Sequence, residues 1–297
     1  MKRILAFVSI LLLFLCGCGA QEPSAQIAAT TLPVYEFTAR LCDGTGITVT
    51  RLVTESVSCL HDYSLNVNQV KAAEAAEVIV QSGAGLEEFL EDLLTGADLI
   101  DSAAGISLIC GETEEHDHDH EHDHHDDHGH SHAEDPHIWL SPESAMVMAR
   151  NICDGLSARY PEHRATFEDN LALLLADLEA LQAYGEETLA GLSCREIITF
   201  HDGFSYFADS FGLTILEAVE EESGSEASAQ ELKHLITLVN EHNLPAIFIE
   251  TNGSVSAAEV IARETGAAVF TLDMAMGGDS YFDAMYHNID TIKEALG

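Results

Sequence analysis

The chain has 297 residues, enough for two domains of ordinary size, and 46% of them are apolar, which excludes a globally disordered polymer. Its 51 Asp and Glu against 12 Lys and Arg give a formal net charge of −39, a surface that repels phosphate backbones and excludes a nucleic-acid partner. The same surface attracts cations, and 16 histidines point the same way, since histidine is the commonest metal ligand.

In chain order, Lys2 and Arg3 give a short basic start, and Ile4 to Leu15 is an almost unbroken apolar run. That run is too short to span a bilayer, which needs ~20 residues, but it suits a secretory signal core. It ends in Leu15-Cys16-Gly17-Cys18, which resembles a bacterial lipobox. Residues 1–17 are therefore expected to be a lipoprotein signal peptide, Cys18 the site of lipid attachment and 18–26 a tether. A globule held outside the cytoplasm on a lipid membrane by an N-terminal acyl anchor follows.

From residue 27 the pattern alternates strand and helix. Ile27–Thr31 reads as a strand, Pro33 to about Asp43 as a helix, and Ile47–Val53 as a β-branched strand. Asn66–Ala76 then reads as a helix, Val78–Gln81 as a buried strand and Leu86–Leu94 as a helix. This rhythm implies a parallel sheet with helices on both faces. Phe167, Leu171, Leu174, Leu178 and Leu181 recur at steps of four and three, the apolar face of one long helix. Pro161 suits its first turn and Gly191 lies past its end.

The rhythm then repeats. Glu196–Phe200, Leu213–Glu217, Ala246–Glu250 and Ala268–Leu272 read as strands. Gly203–Ser210, Ser228–Glu241, Ala258–Thr265 and Tyr281–Leu296 read as helices, with Ser228 and Glu231 forming a capping box. The expected fold class is α/β, two parallel-sheet lobes joined by one long helix with a site in the cleft. The N-terminal lobe takes 27–160, the connecting helix 161–191 and the C-terminal lobe 192–297. Five cysteines follow Cys18, and Cys42 with Cys59 and Cys153 with Cys194 are the plausible disulfides, with Cys110 left over.

One segment breaks the globular pattern. Residues 112–134 hold histidines 116, 118, 120, 122, 124, 125, 128, 130 and 132, with Asp and Glu in most of the gaps. Such a stretch cannot bury a core and is expected to be a disordered loop that binds metal weakly. Outside it, His61, His137 and His201 fall where strands should end, the edge at which open α/β sheets bind ligands. Asp273 ends a further strand and is a fourth candidate. From position alone, each of these histidines is as readable as a structural or solvated residue. His163, His234, His242 and His287 lie on expected helices among polar neighbours and read as surface residues.

The segment Asp135-Pro136-His137-Ile138-Trp139-Leu140-Ser141-Pro142, placed after a His/Asp-rich loop, closely resembles the zinc and manganese receptors of ABC transporters, the cluster A-I metal-binding proteins. His61-Asp62-Tyr63 matches their first ligand motif, and Phe200-His201-Asp202 with Tyr206-Phe207 the third. The resemblance implies His61, His137 and His201 as metal ligands. It implies a carboxylate or a water as the fourth, with Asp273 the nearest match and Asp279 a rival. The chain departs from the family in having Leu60, with Cys59 ahead of it, where Pro usually precedes the first histidine.

Manganese receptors of the family typically carry Glu where this chain has His201. Imidazole suits zinc better than manganese, so three histidines and one carboxylate argue for Zn²⁺ as the carried ligand. Asp62 and Asp202 follow ligands directly and are candidates to orient the imidazoles. The resemblance implies a monomeric receptor that performs no reaction and hands Zn²⁺ to an ABC permease and its ATPase. A manganese receptor, a surface adhesin or zinc buffer, and a zinc hydrolase are the alternatives. The hydrolase has the least support, because no HExxH occurs outside the His-rich segment.

Overall fold

The computed structural model describes residues 26–55, 60, 63–90, 98–109, 134–219, 227–251, 253 and 255–297. The signal segment with Cys18, His61, Asp62, Cys59, Cys110 and nearly all of the His-rich loop lie outside them.

The first half opens with strand β1 (Ile27–Ala29), helix α1 (Leu32–Leu41) and strand β2 (Val49–Arg51). Helix α2 (Val67–Ala75) and strands β3 (Val78–Gln81) and β4 (Leu99–Asp101) follow. The strands form one parallel sheet in the order β2-β1-β3-β4. Val78, Ile79 and Val80 are buried on both faces, as a central parallel strand requires. Asn66 and Gln69 close a capping box that satisfies free N–H groups at the start of α2.

Helix α3 (Pro142–Arg159) leads through a 3₁₀ turn at Pro161–His163 into the long helix α4 (Arg164–Leu189). The second half repeats the first with β5 (Glu196–Thr199), α5 (Ser205–Phe211), β6 (Thr214–Ala218) and α6 (Ala229–His242). It closes with β7 (Ala246–Glu250), α7 (Ser256–Thr265), β8 (Ala268–Leu272) and α8 (Tyr281–Leu296). Its sheet is again parallel and four-stranded, in the order β6-β5-β7-β8. The fold class expected from the sequence is therefore the one observed.

α4 packs on α1 and α3 from the first half and on α8 and α5 from the second. Phe167, Leu174, Leu178 and Leu181 face inward, as their spacing predicted. One apolar core runs from Ile27 and Trp139 through Leu178 to Phe248 and Leu296, so the two halves share buried surface. Among the described residues, no helix is long and apolar enough to cross a membrane.

The largest departures from the expectations are three. Helix α3 fills a stretch to which the sequence reading assigned no element. Its buried positions, Ala145, Met148, Ala149, Ile152, Cys153 and Leu156, do follow helical spacing, but half of them are small. Residues 86–90 form turns and a single 3₁₀ turn (Glu88–Leu90) where a helix to Leu94 was expected, and 91–97 lie outside the description.

The disulfides are the third departure: Cys42, Cys153 and Cys194 are all free thiols, so neither expected pair forms. Cys153 sits on α3 near the start of α4, and α4 then carries the chain ~39 Å away at 1.5 Å per residue before Cys194. Cys42 is buried beyond the end of α1, and burial pushes its thiol up to about 12. Burial raises Cys153 as well. Such thiols stay protonated and inert.

Candidate metal centre

Open parallel sheets bind ligands where the strand order reverses, beyond the carboxyl ends of the strands. In the second sheet that point lies between β5 and β7. His201 stands two residues past β5, after Phe200, whose N–H bonds to the Phe248 carbonyl at 2.9 Å. Glu250 ends β7 beside it, with Oε2 3.9 Å from His201 Nδ1. Gly203 leaves room for the imidazole: a Cβ there would lie 2.7 Å from both His201 Cδ2 and Met274 Cε.

His137 enters from the first half, at the start of a 3₁₀ turn (Ile138–Leu140). It is 2% exposed. Asp135 Oδ1 accepts from its backbone N–H at 2.9 Å and lies 2.8 Å from its Nδ1. The loop is fastened to the second half on both sides. Tyr206 donates its hydroxyl to the Asp135 carbonyl at 3.0 Å, Trp139 Nε1 donates to the Met274 carbonyl at 2.7 Å, and Tyr281 donates to the Trp139 carbonyl at 2.8 Å.

Held in this way, His137 and His201 present their Nε2 atoms to each other at 3.4 Å, with ring planes at 87°. Two nitrogens at ~2.05 Å from one tetrahedral ion would stand ~3.3 Å apart. The pair therefore spans one edge of such a site.

His61 lies outside the described residues, but residues on either side of it, Glu55 and Tyr63, are anchored. Tyr63 donates its hydroxyl to Glu55 at 2.6 Å, and Gln69 Nε2 donates to both Glu55 and Tyr63. The Tyr63 hydrogen bond is the main cause holding the Glu55 carboxyl below its ordinary range. Leu60, where the family usually has Pro, is buried in the core.

Asp273 is held in a turn, its Oδ1 accepting from the Ala275 N–H at 2.7 Å and its backbone clasped by the buried Asn288 side chain. Asp279 is exposed, next to Gly278, whose carbonyl accepts from Arg51. Among the described residues no group of three His, Cys, Asp or Glu converges on one point. The structure thus joins two of the four sequence candidates, His137 and His201. His234 and His242 are exposed and pair with Glu217 and Glu196, and His287 is exposed, in keeping with surface roles. The carboxylates beside the two imidazoles, Asp135 and Glu250, are residues that sequence reasoning did not single out.

Two parallel α/β halves braced by a long helix, with an imidazole from each meeting at the strand ends, form a candidate metal centre between the halves. Residues 27–295 match the family profile described as zinc-uptake complex component A, periplasmic, and the chain belongs to this ZnuA family. It is 30% identical to the zinc-binding lipoprotein AdcA of Streptococcus pneumoniae serotype 4 over 99% of its length, but it spans only 61% of that protein. It is also 30% identical to the high-affinity zinc uptake system protein ZnuA of Bacillus subtilis, covering 96% of this chain and 94% of that one. A crystal structure of ZnuA superposes with a TM-score of 0.78 at 31% identity, covering 92% of this chain and 100% of the other. Members of the family are the substrate-binding components of ABC uptake systems and are not enzymes.

Proposed function

We propose that the chain is a high-affinity zinc receptor, held outside the cytoplasm by a lipid on Cys18, that delivers Zn²⁺ to an ABC permease and its ATPase. The observation that carries this reading is the 3.4 Å approach of the His137 and His201 Nε2 atoms, which suits two corners of a tetrahedral ion. His61 completes a three-imidazole set, with Asp273, Asp279 or water in the fourth position. Zinc is favoured over manganese because His201 is an imidazole where the resemblance places Glu in manganese receptors.

Capture needs little from the fold beyond keeping these nitrogens in place. The loop of His137 is clamped by Tyr206, Trp139 and Tyr281, and the core is continuous from half to half. The ligands of a prearranged site avoid the ~1–2 kcal/mol per residue that ordering a flexible segment costs. The composition of residues 114–133, many metal donors and almost no apolar side chains, suits weak and several sites that collect zinc near the cleft.

Elemental analysis of the purified protein, before and after deletion of 114–133, tests the reading. One zinc per chain should survive the deletion while additional weakly held zinc is lost. A deletion that abolished the tight zinc would place a primary ligand in the loop.

A further inference from the structure

The orientation of an imidazole that binds metal is set by what its other nitrogen meets. His137 Nδ1 meets Asp135 Oδ1 at 2.8 Å, and the same oxygen accepts from the His137 backbone N–H at 2.9 Å. Both side chains are buried, at 3% and 6% exposure. An ionised carboxylate only accepts hydrogen bonds, so a neutral His137 must carry its proton on Nδ1 and leave the Nε2 lone pair free. Asp135 is itself fixed: its N–H bonds to the Ile109 carbonyl at 2.9 Å, and its carbonyl accepts from Tyr206.

The second imidazole has a carboxylate on the same side of its ring. Glu250 Oε2 lies 3.9 Å from His201 Nδ1, while His201 Nε2 faces His137. Glu250 is held by the turn that follows β7, where Gly253 donates to its carbonyl at 3.0 Å. A Cβ on Gly253 would lie 2.8 Å from Glu250 Cγ, so this glycine keeps space for the carboxylate side chain.

We propose that Asp135 and Glu250 are positioning residues, one behind each ligand imidazole: Asp135 holds His137 as the Nδ1–H tautomer with its Nε2 lone pair turned to the cargo ion, while Glu250, too far from His201 Nδ1 for a hydrogen bond, acts on that ring through its charge. The proposal rests on the reading of His137 and His201 as ligands. Their two negative charges also offset the charge of a dication that is about to be surrounded by neutral nitrogens. Of the two, Asp135 has the shorter contact and fixes ring and backbone together, so it carries the larger share.

The test combines tautomer and affinity. Long-range ¹⁵N–¹H spectra of the metal-free, histidine-labelled protein, at a pH where imidazole is neutral, should show His137 protonated at Nδ1. Asp135→Ala should release His137 toward the Nε2–H tautomer and weaken zinc binding by about 10- to 100-fold in chelator competition. Asp135→Asn keeps an oxygen acceptor, so it should keep the tautomer but lose part of the affinity with the charge. Glu250→Gln should give a smaller loss than Asp135→Ala. An Nε2–H tautomer at His137 in the unaltered protein would overturn the proposal, as would unchanged affinity in Asp135→Ala. Should Asp135→Ala fail to fold, wild-type affinity in Asp135→Asn would be equally fatal. The spectra need no metal, so they separate this proposal from the ligand reading, which fails only if His137→Ala and His201→Ala bind zinc normally.

Discussion

Glu87 is a carboxylate buried in the first half, where Thr30 Oγ1 donates to it at 2.6 Å and the Ser82 and Gly83 N–H groups at 2.7 and 3.0 Å. Burial outweighs these bonds and, with nearby Asp101 adding in the same direction, raises the group from 4.5 to about 6. The folded protein thus holds a proton that the unfolded chain releases first. The stability Glu87 lends is complete below pH 4.5 and is lost as pH rises through about 6. The loss is roughly 2 kcal/mol at 1.36 kcal/mol per unit. Urea unfolding across that window should show the wild type falling relative to Glu87→Gln, and a constant difference would contradict this. Gly203 gives a second prediction. Gly203→Ala would push a methyl against His201 Nε2, 3.0 Å from the new Cβ, so zinc affinity should fall by about tenfold with helical content unchanged in circular dichroism. At this scale His137 and His201 were legible because their motifs are specific. Asp135, Glu250 and Gly203 were not singled out, because their roles depend on what the fold brings beside them.

Ser228 shows how well a local signal can be read. Its hydroxyl accepts from Glu231 N–H at 3.2 Å while its own N–H donates to Glu231 Oε2 at 2.6 Å, the reciprocal box its sequence predicted. Ser228→Ala should cost about 1 kcal/mol of unfolding free energy, read from the shift in a urea midpoint at constant slope. Strands β3, β7 and β8 and helix α8 match their sequence boundaries because long apolar or amphipathic runs define them. Helix α3 went unassigned because Ala145, Ala149 and Cys153 weaken its apolar stripe. β4 escaped notice because it has three residues and buries only Ile100. The long helix was read correctly, except that Pro161 opens a 3₁₀ turn before the α-helix begins. Disulfides could not be derived from spacing, since the pairing of cysteines depends on where helices carry them.

Across the whole molecule the two halves are pinned where the ligands meet. Tyr281 packs edge-on against Phe37, bonds to the Trp139 carbonyl and takes its own N–H to Glu36, while Arg40 pairs with Asp177 on the long helix. With one core through both halves, unfolding should be a single transition. Trp139 is the sole tryptophan, so its fluorescence and the far-ultraviolet signal should change together, and separate midpoints would show halves that unfold independently. Tyr281→Phe leaves the buried Trp139 carbonyl without this donor and should lower stability by about 1–3 kcal/mol. The measurement that tests the central claim most directly is chelator competition for Zn²⁺ and Mn²⁺ by the full chain, His61→Ala, His137→Ala and His201→Ala. The account predicts one tight site that prefers Zn²⁺, weakened at least about tenfold by each substitution, since each removes one of three strong donors. Tight zinc binding that survives the loss of His137 and His201, or a site that prefers Mn²⁺, would contradict it.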